Sequence, residues 1–224
     1  MKFNGYLRAD GKAGSRNLVG VIPTVVCAND VAQAVVRQVS GCVGFFHHQG
    51  CCQLPPDLDR VTDTLANLGK SPNLGAVLLV SLGCEGTDTE KLYREIQACG
   101  KPVEIIRIQE LGGTSKAIAA GIDGAQKLTL SISGQQRTPC ELSGVTMAIK
   151  CGGSDATSGM ASNCVIGYVA DKMEVPGATV VFGETTEFIG AEHILAKRAA
   201  DEDAAQEIGR IVAERTGRKL DSTM

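Results

Sequence analysis

Tryptophan is absent from this 224-residue sequence and aromatic residues make up only 4% of it, so it offers few platforms on which nucleic-acid bases could stack. Positive charge is nowhere gathered into a run. The 22 Lys and Arg are outweighed by 25 Asp and Glu, leaving a net charge of -3, which argues against a surface that tracks a phosphate backbone. Nucleic acid is therefore not an expected partner. No apolar stretch reaches the roughly 18 residues that a membrane helix needs. Residues 1–14 also lack the basic start and apolar centre of a secretory signal. A cytoplasmic protein with no membrane partner is expected. Two nucleotide signatures are missing as well: no Gly-Lys-Ser/Thr closes a phosphate loop, and no Gly-x-Gly-x-x-Gly follows the first apolar run, so no nucleotide cofactor is expected. A structural zinc ribbon is excluded, because no Cys-x-x-Cys pair is matched by a second.

What is present is a 43% hydrophobic chain, enough to fill a core. Its nine cysteines are an odd number without export signals, which suits core filler, nucleophiles or metal ligands better than a disulfide framework. Apolar β-branched runs alternate with segments of helical periodicity. Residues 18–26, 42–47, 75–82 and 102–108 read as strands. Residues 29–39, 57–68, 87–99 and 113–130 read as helices, the second with Leu58, Val61, Leu65 and Leu68 on one face. Residues 133–144 are polar and without period, as a linker would be. Beyond them, strands over 145–150 and 178–182 alternate with helices over 158–173, 189–200 and 203–215. The expected fold is α/β, with mostly parallel Rossmann-like sheets and helices on both faces. It divides into two units, 1–132 and 145–224.

Polar, glycine-rich loops follow nearly every strand: Cys27-Ala28-Asn29, then His47 to Gln53, then Gly83-Cys84-Glu85-Gly86, then Cys151-Gly152-Gly153-Ser154-Asp155, then Gly183-Glu184-Thr185-Thr186-Glu187. Ligands of open α/β sheets bind outside the carboxyl ends of the strands, so these loops point to one site. Consecutive His47 and His48 face opposite sides of an extended segment and cannot both be core, which leaves acid-base work open beside a plain surface role. Cys51, Cys84 and Cys151 could assemble a long-range set suited to an iron centre or a catalytic cation. Gly152, Gly153, Ser154 and Asp155 ahead of a helix could cradle an anion, or simply turn the chain. Arg16 with Asn17 could recognise a carboxylate. Glu192 and His193 suit either a helix cap or acid-base chemistry.

The chain resembles the altronate/galactarate dehydratase family. The likeness rests on Gly5-Tyr6-Leu7-Arg8-Ala9-Asp10-Gly11 with Arg16-Asn17, Pro23-Thr24-Val25 before Cys27, Gly50-Cys51 with Gln53, and Pro72-Asn73 leading to Gly83-Cys84-Glu85. It continues through Cys151 to Asp155 with Ser158-Gly159 and Asn163, and through Glu184-Thr185 with Gly190-Ala191-Glu192. Within the family, His47 to Cys51, Gly83 to Gly86, Ile108-Gln109-Glu110 and Glu184 to His193 look most like the sulfolactate sulfo-lyase large-subunit branch. The resemblance implies β-elimination from a small 2-hydroxy acid, either dehydration of a sugar acid or desulfonation of sulfolactate. It also implies a divalent metal, iron(II) foremost, as cofactor. A separate small lyase subunit is the implied partner, in a homo- or hetero-oligomer. Elimination needs a base beside the substrate carboxylate and an acid at the leaving group, and His47 or His48 and Glu85 or Glu184 are the candidates. Family members continue beyond residue 224, so a shortened carboxy-terminal domain is expected. A docking subunit without its own activity is the alternative reading, and a thiol redox protein built on Cys51-Cys52 a third.

Overall fold

The computed structural model describes residues 1–153 and 155–217. It divides into two compact units, Met1–Val145 and Thr146–Met224. No helix among the described residues is long and apolar enough to cross a membrane.

In chain order the first unit contains β1 (Lys2–Leu7), β2 (Ala13–Gly14), β3 (Leu18–Pro23), α1 (Asn29–Gln38), β4 (Cys42–Gly44) and α2 (Pro55–Gly69). It continues with β5 (Leu74–Ser81), α3 (Thr89–Gln97), β6 (Val103–Arg107), α4 (Thr114–Ser133) and β7 (Thr138–Glu141). Four strands form a parallel sheet in the order β4-β3-β5-β6. Every residue of β5 is buried, which is why that segment reads as an unbroken apolar run. Its side chains alternate between two cores. Ala76, Leu78 and Val80 join Val19, Val21, Val31, Val35 and Leu128, between the sheet and α1 and α4. Leu74, Val77 and Leu79 join Ile22, Leu65, Leu92 and Ile96, between the sheet and α2 and α3. Each such buried side chain contributes about 1.5–3 kcal/mol relative to exposure. Helix starts follow local chemistry: α2 begins on Pro55, where a missing N–H does no harm, and the Asp88 carboxylate accepts from Lys91 N at 2.8 Å to cap α3.

The order β4-β3-β5-β6 makes the β3–β5 boundary the point where the chain reverses its direction across the sheet. Open α/β sheets leave a crevice there, at the carboxyl ends.

Two expectations need correction. Residues 133–144 are not a free linker: they hold the end of α4 and the strand β7, which pairs antiparallel with β1 (Phe3 opposite Cys140), while β2 pairs with the other edge of β1. These strands are short and polar, with Cys140 the one buried residue of β7, so no period marked them. Their anchor is the buried Arg8, whose guanidinium donates to Pro72 O (2.7 Å), Asn17 Oδ1, Gln135 Oε1 and Arg16 O (each 2.9 Å). The strand expected over 42–47 also stops at Gly44, because His47 and its neighbours turn away to bond other loops.

The second unit pairs β8 (Thr146–Ile149) in parallel with β9 (Thr179–Phe182), Ile149 standing opposite Phe182. A π-helical turn, Ser158–Ser162, leads into α5 (Asn163–Glu174), and α6 (Glu192–Ala196) and α7 (Glu202–Thr216) follow β9. Single π turns occur often beside functional sites.

Candidate functional site

In the first unit the loops after β3, β4 and β5 are tied into one cluster by hydrogen bonds. The Thr24 hydroxyl, one residue past β3, donates to Glu85 Oε1 at 2.6 Å, bridging the β3–β5 crevice. Glu85 Oε1 also accepts from the Thr89 hydroxyl (3.1 Å), and Oε2 accepts from Gly83 N (2.6 Å). Burial alone would raise the Glu85 carboxyl. Donation from the Ser81 and Thr24 hydroxyls and from the Glu85 and Gly83 amides outweighs it and holds the group at about 2. Glu85 is thus a fixed carboxylate, which corrects its reading as a general acid.

Gly50 is the hub of the β4 loop. Its N–H donates to Gln53 Oε1 and its carbonyl accepts from Gly86 N, both at 2.9 Å. Its φ is +102°, and a Cβ there would lie 2.6 Å from Thr24 O and 2.9 Å from the Thr87 hydroxyl. Glycine is required on both counts. The hydroxyl of buried Thr87 and the Asn29 Oδ1 atom are buried in this unit without a partner.

The two histidines are treated differently. His47 Nε2 lies 2.7 Å from Pro23 O and Nδ1 accepts from Gln49 N at 3.1 Å, which places the ring proton on Nε2 and occupies both nitrogens with backbone. That is a positioning residue, and the reading of His47 as a base is corrected accordingly. His48 is exposed, and among the described residues its ring has no hydrogen-bond partner. Cys51 and Cys84 are both exposed at the same strand ends. The Cys84 sulfur accepts from Gln109 Nε2 at 3.4 Å, and the Cys51 thiol, sharing a hydrogen bond with Cys52, is pushed up from its ordinary value.

Arg16 and Asn17 do not join this cluster. They precede β3, at the amino end of the strand, about 20 Å from Thr24 at ~3.3 Å per residue. Asn17 is spent on structure: its Oδ1 accepts from Arg8 and its Nδ2 donates to Ile132 O at 2.9 Å. The carboxylate-recognition reading of this pair is corrected by its place in the sheet.

In the second unit the register of β8 against β9 sends Lys150-Cys151 and Gly183-Glu184 out side by side. Lys150 Nζ donates to Glu184 Oε1 at 2.6 Å and to Cys151 O at 3.0 Å, and the ammonium lowers the Glu184 carboxyl. Glu184 sits at φ +65°, in the left-handed region that an L side chain seldom adopts. A cavity of about 610 Å³ opens here, lined among others by Cys151, Gly152, Gly153, Ser158, Asn163 and Glu184. Asp155 is engaged locally: its Oδ1 accepts from the Thr157 amide and hydroxyl, both at 2.6 Å, and from Ser158 N at 3.2 Å. It caps the turn before the π helix, and these donors lower its carboxyl. Ser154, the remaining residue of the expected anion cradle, lies outside the described residues.

Family models match nearly all of this architecture. The D-galactarate dehydratase/altronate hydrolase second domain matches residues 5–133, and the D-galactarate/altronate dehydratase C-terminal domain matches residues 142–221. The chain belongs to the D-galactarate/altronate dehydratase family. It is 38% identical over 204 residues to the (2R)-sulfolactate sulfo-lyase subunit beta of Chromohalobacter salexigens, covering 91% of this chain and 52% of that protein. It is 32% identical to the altronate dehydratase of Bacillus subtilis and to the galactarate dehydratase (L-threo-forming) of Escherichia coli, covering 92% of this chain and 43% of each. The chain spans about half the length of the curated relatives it matches.

Cys51 and Cys84 lie in one unit and Cys151 in the other. Among the described residues no group of three or more His, Cys, Asp or Glu side chains is placed to hold a metal ion. As placed here, the described residues do not fit a metal. Thr24, Gln53, Gln109 and Lys150 bind the site loops together yet were not singled out as site residues from sequence. Lys150 and Glu184 alone carried a readable signal, as opposite charges one and two residues past two neighbouring strands.

Proposed function

We propose that this chain is the catalytic part of a lyase that eliminates water from a sugar acid such as altronate or galactarate, or sulfite from sulfolactate. The observation that carries the reading is the set of hydrogen-bonded loops gathered at the strand ends around the Glu85 carboxylate, in a chain of a dehydratase family. β-Elimination begins with removal of a proton next to a carboxylate, and the enolate-like charge that develops must be met by fixed donors. His48, whose exposed ring is left free by the described residues, is the base. Within the second unit, the Lys150 ammonium held by Glu184 and the backbone at Gly152 and Gly153 line a cavity suited to an anionic group. Glu85 and Glu184, whose carboxyls are lowered by their hydrogen-bond donors, are assigned to positioning and not to the acid at the leaving group. A small lyase subunit is the proposed partner in the assembled enzyme, consistent with the subunit name of the sulfo-lyase relative. A divalent ion, iron(II) foremost, is proposed as cofactor of the assembled enzyme on the strength of the family resemblance alone.

The test is co-expression with a small lyase subunit, anaerobic purification, and assay for the 2-keto product or for sulfite with all three acids. His48→Asn should lower turnover at least about 100-fold. Stoichiometric divalent metal in the purified, active assembly would uphold the cofactor, and an active assembly without metal would remove it. A stable complex that yields no product from any of the acids would favour the docking-subunit alternative.

A further inference from the structure

Adjacent side chains normally diverge, because successive Cβ atoms of an extended chain point to opposite sides. Cys51 and Cys52 do the opposite: their sulfur atoms lie 3.6 Å apart. The backbone makes this possible at Cys52, whose φ of +56° puts a non-glycine residue in the left-handed region. Among the described residues only Glu184 shares that property. Both thiols are exposed, so both sulfurs can be reached from solvent. Cys51 was expected to look outward to Cys84 and Cys151 for a shared metal. The geometry pairs it with its neighbour instead.

The geometry points to Cys51-Cys52 as a two-thiol clamp for a soft, thiophilic centre of trivalent arsenic type. Such a centre binds two sulfurs at close to a right angle, which holds them at a separation near the one seen here. A direct disulfide would need the sulfurs at roughly 2.0 Å and a ring one atom smaller. Thiolates select soft centres, whereas a hard oxygen-seeking cation finds no carboxylate set here. The reaction balances without an oxidant. An organic arsenoxide, R–As=O, condenses with the two thiols; two As–S bonds form, and the oxygen leaves as water with both thiol protons, arsenic staying trivalent. The other exposed cysteines, Cys27, Cys84 and Cys164, have no neighbour in sequence to complete such a clamp.

The experiment treats the full chain with phenylarsine oxide and follows intact mass and thiol count. One adduct is expected, with two thiols consumed. It should survive excess monothiol and be released by a dithiol such as 2,3-dimercaptopropanol. Cys51→Ser and Cys52→Ser should each abolish the monothiol-resistant adduct, while Cys27→Ser and Cys84→Ser keep it; circular dichroism of each variant establishes that it is folded. A resistant adduct that persists in folded Cys52→Ser, or a wild-type chain whose adduct monothiol removes completely, would overturn the assignment.

Discussion

The assignment of Glu85 as a fixed carboxylate makes the most decisive prediction, because it separates a structural anion from a catalytic acid. At pH 7 an acid held at about 2 is protonated in only about one molecule in 10⁵, too few to serve a leaving group. The same donors stabilise the fold. A carboxyl held at about 2 against an ordinary 4.5 would contribute about 3 kcal/mol if fully sheltered. Glu85 is only half-buried, so solvent screening reduces this to about 1–2 kcal/mol. The folded state binds the proton more weakly than the unfolded state. Its contribution is therefore complete above about pH 4.5 and is lost as the pH falls through the range down to about 2. Glu85→Gln should lose about 1–2 kcal/mol in urea denaturation at pH 7, and the difference from wild type should shrink as the pH falls from 4.5 to 3. A ¹³C carboxyl titration should find the Glu85 midpoint well below that of exposed glutamates. A midpoint above about 4, or a variant within about 0.3 kcal/mol of wild type at pH 7, would refute the reasoning and return Glu85 to the list of acids.

Gly50→Ala should lose about 2–5 kcal/mol in urea denaturation, since its Cβ meets the Thr24 carbonyl oxygen, which no side-chain movement can relieve. Gly153→Ala, whose Cβ meets nothing within 4 Å, should change stability by less than about 0.5 kcal/mol, and equal effects at the two sites would contradict the loop geometry. Lys150→Met should let the Glu184 carboxyl rise toward the ordinary carboxylate range in a ¹³C titration, because the ammonium beside it is what lowers it. An unmoved midpoint would show that the ion pair does not form in solution.

The four-stranded sheet was legible because its elements obey local rules that tertiary contacts reinforce. Residues 74–81 are buried on both faces and read as a continuous apolar run, while Val61, Leu65 and Leu68 recur at helical spacing toward one of the cores that flank it. The antiparallel strands were not, for a physical reason. Their stability comes from contacts such as Arg8 to Gln135, 127 positions apart, and from a buried guanidinium that no hydrophobic pattern announces. Arg16 and Asn17 were misplaced for the same reason: sequence shows that they precede a strand, but not that the crevice lies at its other end.

At the site, residue types were legible and roles were not. A glutamate after a strand can be an acid or an anchor, and the choice is made by donors from Thr24, Gly83 and Thr89 that only the folded loops bring together. A histidine beside it can be a base or a strut, and His47 is a strut because two backbone groups take both its nitrogens. What the fold adds beyond role is conflict with local preference. Cys52 and Glu184, in different units and different loops, both hold left-handed backbone that their side chains disfavour, and both follow strands at the end where α/β proteins place ligands. Sequences that specify one fold keep such conflicts few and confine them to sites where something besides stability is being maintained. On that argument Cys52, which the sequence distinguished only as half of a vicinal pair, carries as strong a claim to function as Glu184, which several motifs marked.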